Sequence, residues 1–437
     1  MQRPSASPAF MPSAAPALAL LLVWAAGPAA AAGAAAAPPA PPSPSAGCHR
    51  GVAPPSPPSG ELLQRTIKVS DGNFTGVERS YSLHIPRNYS ASGPPLPLLF
   101  YFHMQDETPE DAALTQFEAL ADANDFFLVY PAGESAGGTP DTSCGPAWNV
   151  GANGDSRVCT RQAYSAFGCP AQQDGWSCTC CSESCEGLGV CSGTGAGAGC
   201  SWSACYSDVA FVATLLEALQ KEFCLDTSAT FAAGASNGAM LVHELASKMP
   251  GAFAAFAPIY GLPLRHHLHV PPALASASIL HIHDRWDEIM PVKGGESSQG
   301  WLYTSLTATM EQWGKVHGCG IGANDTVAAT SPFDGGSRFL QCQEWSGCAE
   351  GRVMWCLFDG YHGDWPDPTL ECSAYYYQSD CVNAGCVWKE DAADPYGICE
   401  SAPDDTGLAL ESLVWWFFRG VRWGGAPDGR GAGAGDD

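Results

Sequence analysis

The chain has 437 residues, of which 46% are hydrophobic and 10% aromatic, enough for a large buried core. Its 45 acidic residues against 20 Lys and Arg leave a formal charge of −25. A field of that sign repels phosphate backbones and anionic lipid surfaces, which excludes nucleic acid as a partner and stable association with a membrane surface, but does not repel a neutral ester.

After Arg3, an apolar run from Ala17 to Ala26 gives way to small residues through Ala37. Gly27 and Pro28 end the run too early for a comfortable bilayer span, which predicts a signal peptide over 1–32, with a signal anchor as the alternative. Residues 33–60 are nearly all Ala, Pro, Ser and Gly. They hold too little bulky apolar surface to offset the entropy of ordering them, so a disordered linker is expected there. Residues 61–423 remain for a folded domain, followed by a disordered tail over 424–437, mostly Gly, Asp and Ala.

Within that domain, Thr66 to Val69 and Ser80 to Ile85 read as edge strands. Leu96 to His103 (LPLLFYFH) is an apolar run of the kind buried on both faces. Helical spacing follows over Glu107 to Asn124, then a buried strand from Phe126 to Tyr130. Tyr206 to Phe223 is an amphipathic helix with Val209, Val212, Leu215, Leu216 and Leu219 on one stripe. Thr230 to Ala235 is a strand and Gly238 to Lys248 a helix. Ala255 to Ile259, Ser278 to His283 and Val353 to Phe358 are further strands, and Leu410 to Arg419 closes the chain as a helix. This alternation predicts an α/β fold with a mostly parallel central sheet flanked by helices on both faces.

Cysteine-rich segments at 144–205 and 372–399 break the pattern, the second with Trp388 as a miniature core. The chain holds 20 cysteines, all beyond the expected cleavage site. An even count in an exported chain predicts disulfides and a secreted, extracellular protein. Sequons at Asn73, Asn88 and Asn324 agree. Cys178, Cys180, Cys181 and Cys185 are spaced too tightly and irregularly for paired zinc knuckles, so disulfides are expected there as well. His266, His267 and His269 read as a solvated loop rather than a metal site.

Gly234-Ala235-Ser236-Asn237-Gly238 follows a predicted strand and opens a predicted helix. A serine on such a turn is pushed out of the sheet, and the helix N-terminus points at the same spot. Ser236 is therefore the candidate nucleophile, and the Asn237 N–H a candidate oxyanion donor. Serine needs a base, and the base an orienting acid, at the carboxyl ends of later strands. Asp284 and Asp287 follow one such strand, Asp287 being favoured, and His362 follows another. His281, His283 and His317 lie in or beside predicted elements and read as structural. The second oxyanion donor is expected from the backbone N–H of Met104 or Gln105, after the strand ending at His103. This chemistry requires no metal or organic cofactor.

At these residues the chain resembles the secreted feruloyl esterases and polyhydroxybutyrate-depolymerase-like esterases of carbohydrate esterase family 1, over about residues 62–420. Four blocks carry the resemblance: Tyr206 to Phe211 (YSDVAF); Gly234 to Met240 (GASNGAM) with Phe253 to Ile259 (FAAFAPI); Asp287 to Pro291 (DEIMP); and His362 to Pro366 (HGDWP). Pro146-Ala147-Trp148-Asn149 also resembles the Trp-Asn that opens a cysteine-bearing loop in that family. The resemblance implies an α/β-hydrolase fold and catalytic roles for Ser236, Asp287 and His362. His103-Met104 departs from the usual His-Gly, and Asp284-Arg285 from the usual Gly-Thr. The expected activity is hydrolysis of hydroxycinnamoyl or similar esters on extracellular polysaccharide. The alternatives are a polyester depolymerase and, from another class, a catalytically silent disulfide-rich binding protein. The insertion before the nucleophile helix is expected to roof the site.

Overall fold

The computed structural model describes residues 41–49, 62–113, 115, 117–137, 144–155, 157–160, 182–190, 203–274, 276–320, 326–328, 340–358, 360–363, 387–391, 394–400 and 410–423. The expected signal peptide, the tail, the third sequon and most of both cysteine-rich segments lie outside these residues. In chain order the strands are β1 (Leu62–Val69), β2 (Val77–His84), β3 (Leu96–Phe102), β4 (Phe127–Pro131), β5 (Glu134–Gly137), β6 (Cys144–Ala147), β7 (Leu225–Ala235) and β8 (Ala255–Ile259). They continue with β9 (Ser278–Asp284), β10 (Gly295–Glu296), β11 (Leu302–Tyr303), β12 (Thr326–Ala328), β13 (Leu340–Trp345), β14 (Val353–Phe358), β15 (Val387–Asp391) and β16 (Asp394–Glu400). The helices are α1 (Pro109–Ala112), α2 (Phe117–Asn124), α3 (Glu183–Gly187), α4 (Asp208–Glu222), α5 (Asn237–Lys248), α6 (Leu306–Val316) and α7 (Leu410–Trp423).

Ten strands make one sheet in the order β1-β2-β4-β3-β7-β8-β9-β14-β13-β12. From β4 through β14 every neighbouring pair is parallel, and antiparallel strands finish both edges. Parallel strands need covered crossovers, so both faces are buried. On one face α4, α5 and α6 share one apolar cluster with Leu98, Phe100 and Phe102 of β3, and Trp313 of α6 meets Phe256 of β8. On the other, α2 and α7 pack against Leu99 and Tyr101, with the Phe418 ring stacked on Phe231 at 4.6 Å between centroids. With the second strand antiparallel and the first crossover reversing the order of β3 and β4, this is the α/β-hydrolase fold.

The expected elements are present with three corrections. β2, expected as an edge strand, lies inside the sheet between β1 and β4, because β1 pairs along its outer side. The helical spacing over Glu107 to Asn124 is two pieces: Thr108 and Asp111 close a capping box at the start of α1, and the Thr115 hydroxyl and N–H take the Ala112 carbonyl where that single turn ends. The expected linker over 33–60 is also not unstructured throughout. Cys48 is disulfide-bonded to Cys224, and the buried Ser45 hydroxyl donates to the Phe223 carbonyl at 2.6 Å. Apolar packing is scarce at 41–49; the crosslink and these buried bonds hold the segment instead.

Further bridges join Cys185 to Cys205, Cys319 to Cys348, and Cys342 to Cys356 across β13 and β14. No described cysteine is free, the pattern of an oxidising compartment. Among the described residues no helix is long and apolar enough to cross a membrane.

One buried ion pair ties the sheet edge to the face that carries the site. Arg79 of β2, 1% exposed, donates to Asp208 of α4 at 2.7 Å and lies over the Phe211 ring. The other Asp208 oxygen accepts the Asn149 N–H at 2.7 Å. Asp208→Ala leaves the buried guanidinium only the partly exposed Glu134 carboxylate, 3.1 Å away, and should cost up to about 3–5 kcal/mol. Arg79→Met combined with Asp208→Leu should lose clearly less, as read from urea unfolding midpoints.

Candidate active site

Ser236 stands between β7 and α5 with φ 52° and ψ −118°, in the left-handed region that a side-chain-bearing residue seldom occupies. Its N–H donates to the Ile259 carbonyl of β8 at 2.9 Å, and its carbonyl accepts from Met240, closing the first turn of α5. Gly238 is required here, since a Cβ would collide with the Phe102 carbonyl. Gly234 has the same constraint against the Gly238 carbonyl and Phe102. Ser236 is thereby held at the helix N-terminus, facing a cavity of about 300 Å³.

The Ser236 hydroxyl donates to His362 Nε2 at 2.8 Å, and His362 Nδ1–H donates to Asp287 Oδ2 at 2.7 Å. The other Asp287 oxygen accepts the N–H groups of Ile289 and Met290, at 2.8 and 2.7 Å. Burial pushes the Asp287 carboxyl up, but hydrogen bonds from His283 and His362 outweigh it and bring it down to about 2. The expected nucleophile, base and acid thus form one hydrogen-bonded chain, in the geometry that activates a serine for attack on a carbonyl. Asp284 ends β9, is fully buried and is not the residue that His362 bonds. Asp284, Asp287 and His362 bring one ligand atom each within 4.8 Å of one another. Two of the three are already engaged in the chain to Ser236, so the cluster is built to move a proton rather than to cage a metal.

Asn237 opens α5, so its N–H has no intrahelical acceptor and faces the cavity. The facing loop settles one of the two expected donors differently. The Met104 N–H is taken by the Glu107 carboxylate at 2.9 Å, because a tight turn with Asp106 at φ 66° folds Glu107 back over it. Gln105 lines the cavity, and among the described residues none accepts from its N–H, so it is the remaining candidate from this loop. The loop is pinned at both ends: Asp106 N–H donates to the Pro146 carbonyl at 2.8 Å, and His103 Nδ1–H to the Met104 carbonyl at 2.6 Å. Gly133 N–H donates to His103 Nε2 at 2.9 Å, which fixes the neutral tautomer. Burial brings that imidazole down to about 4.

Several site residues were not singled out by sequence as part of the chemistry. Trp148 donates its N–H to the Asn237 side-chain oxygen at 2.6 Å and its indole N–H to the His103 carbonyl at 2.8 Å, joining both oxyanion segments. Its only signal was the Trp148-Asn149 pair that resembles the opening of a cysteine-bearing loop. Tyr260 sets its ring edge against His362, with centroids 5.4 Å apart. Trp301 and Tyr303 of the β10–β11 hairpin, with Met104, Met240 and Met290, wall the cavity. Short irregular strands leave no period that sequence could reveal. His283, expected to be structural, lies 3.4 Å from Asp287.

No family model matches the chain, and no curated protein matches its sequence. Among solved structures it is similar to an acetyl xylan esterase from Aspergillus awamori, at 15% identity and a TM-score of 0.41, covering 69% of this chain and 94% of that one. A thermostable esterase is 15% identical with a TM-score of 0.35, over 58% of this chain and about half (52%) of its own. A poly(3-hydroxybutyrate) depolymerase from Bordetella parapertussis is 18% identical with a TM-score of 0.30, over 53% of this chain and 68% of that one. Likenesses this loose decide nothing about activity. The class rests on the sheet order and the strand–serine–helix turn, and these define an α/β-hydrolase.

Burial holds His243 at about 3 and His281 well below its ordinary value, beside His103 at about 4. The unfolded chain takes these protons near pH 6.5. Stability from the three neutral imidazoles is therefore full above that pH and drains as pH falls toward 4. The calorimetric midpoint should drop over this window. His243→Asn keeps an amide donor that cannot be protonated, and should make the decline shallower.

Proposed function

We propose that the chain is a secreted serine carboxylic-ester hydrolase of the feruloyl-esterase type, acting on hydroxycinnamoyl esters of extracellular polysaccharide. The observation that carries the reading is the hydrogen-bonded chain Asp287–His362–Ser236 opening on an apolar cavity. His362 takes the Ser236 proton as Oγ attacks the ester carbonyl. Asp287 keeps the imidazole oriented and balances its charge, while the N–H groups of Asn237 and Gln105 receive the oxyanion. His362 then returns the proton to the leaving alcohol, and water, activated by the same base, frees the acid.

Export is supported by the disulfides and by the exposed sequon residues Asn73 and Asn88. The methionine and aromatic walls favour a flat aromatic acyl group, since thioethers and ring edges pack well against an aromatic ring. At the outer surface Trp286 and Tyr361 are 56% and 65% exposed, each one residue before a member of the triad. The Trp286 N–H donates to the Gly360 carbonyl at 3.1 Å, which sets the two loops side by side. Such a pair suits the face of a sugar ring on the alcohol side of the ester.

Release of acid from methyl ferulate, p-nitrophenyl acetate and a hydroxybutyrate oligomer tests the class and the acyl group together. Ser236→Ala should lose about four or more powers of ten in rate on the preferred ester. Preference for the hydroxybutyrate oligomer moves the assignment to a polyester depolymerase. Equal inertness of the two folded proteins, with no labelling by a fluorophosphonate, moves it to a binding protein. Trp286→Ala and Tyr361→Ala should raise KM on a feruloylated oligosaccharide about tenfold while leaving methyl ferulate unchanged; parallel effects on both esters would rule out the sugar contact.

A further inference from the structure

His362 is not the only imidazole beside Asp287. His283, on β9, is fully buried, with Nε2 2.8 Å from the Met290 carbonyl oxygen and 3.4 Å from Asp287 Oδ2. A carbonyl oxygen only accepts, so the hydrogen of His283 sits on Nε2. In the neutral ring Nδ1 is then bare, and His281 Nε2, which faces it at 3.1 Å, is the donor. The direction of every hydrogen is thereby set, running from His281 through His283 to the acid loop. The His243 ring lies 5.5 Å beyond His281, between centroids. Burial keeps His243 and His281 neutral, so these two imidazoles bring dipoles rather than charges to the row behind His283.

The loop it reaches is a closed turn. Met290 donates its N–H to Asp287 Oδ1, and its carbonyl accepts from His283. The groups facing Asp287 are His283 and Asp284 from β9, His362 from the loop after β14, and Tyr303 from β11. Burial raises Tyr303, which therefore stays neutral. Asp284 places a second buried carboxylate within 4.8 Å. Two carboxylates so close disfavour each other's charge. Donors on the Asp287 side offset this, and the His283 N–H is placed to add to those of Ile289, Met290 and His362.

We propose that His283 is a positioning residue for the catalytic acid: its Nε2–H braces the Asp287–Met290 turn and keeps the carboxylate charged and aimed at His362, and His281 acts through it by fixing its tautomer. The assay of this role rests on the ester-hydrolase reading above.

The test is the pH profile of kcat/KM on the preferred ester for wild type, His283→Phe and His283→Gln. Phe keeps the ring volume and removes both nitrogens, whereas Gln reaches the Nε2 position with an N–H. His283→Phe should lose at least about tenfold in kcat/KM, short of the ~10⁴-fold cost of disabling the orienting acid itself. Wild type should fall with unit slope in acid. In His283→Phe the slope should steepen toward two below about pH 4–5, as the less supported Asp287 titrates nearer the ordinary carboxylate value of about 3.9. His283→Gln should restore the unit slope and most of the rate. If His283→Phe does not fold, His281→Phe supplies the measurement: His283 stays but its tautomer is released, and kcat should fall with KM unchanged. Unaltered rate and slope in His283→Phe, or equal damage in Phe and Gln variants with unit slope in both, would show that His283 only fills space. In that case an active wild type leaves the hydrolase reading standing. A wild type that neither cleaves an ester nor labels with a fluorophosphonate overturns that reading and this one with it.

Discussion

The site depends first on the backbone at Ser236. A residue with a side chain at φ 52° and ψ −118° is strained by about 1–3 kcal/mol and persists only where its surroundings over-determine it. Here the Ile259 carbonyl holds the amide, Met240 holds the carbonyl, and two glycines let β7, α5 and Phe102 converge without a Cβ between them. The same bend that strains the chain lifts the hydroxyl from the sheet and turns the first amide of α5 toward it. The lifted hydroxyl and the free amide beside it are therefore consequences of one turn.

A second set of bonds ties the start of the cysteine-rich insertion to that turn. Trp148 bonds both the Asn237 side chain and the His103 carbonyl, and Asn149 bonds Asp208 and the Tyr206 carbonyl. Asp208 in turn neutralises Arg79 on the sheet edge. Residues at the start of that insertion are thus held by hydrogen bonds to several elements. Their polar groups are buried and satisfied by partners on three different elements, and releasing any one leaves another unpaired in a dry environment.

Much of the fold was legible because it is periodic. The apolar runs of β3, β4, β8 and β9 and the stripe of α4 name their own element types, and Gly-x-Ser-x-Gly between a strand and a helix names the nucleophile. Legibility failed where one hydrogen bond outweighs a pattern. Thr115 bonds the Ala112 carbonyl and ends a helix whose spacing runs on, Glu107 captures the Met104 amide, and Cys48 with Ser45 docks a stretch whose composition promised no structure. His283 was read as a strand histidine with no part in the site, because which atom a strand-end ring reaches depends on a loop that folds back from residues further on.

Taken alone, the sequence determined the strand and helix types, the parallel sheet, the nucleophile and the strand ends from which base and acid had to come. These follow from local periodicity and backbone sterics, which act over a few residues. Only the tertiary structure decided which aspartate His362 uses, which backbone amide is free for an oxyanion, and which ring atoms carry hydrogens. His362 lies 126 residues from Ser236 and 75 from Asp287 in the chain. Contacts at that separation are set by the order of strands in the sheet, and choosing between Asp284 and Asp287 at 2.7 Å requires knowing where each loop turns after its strand ends.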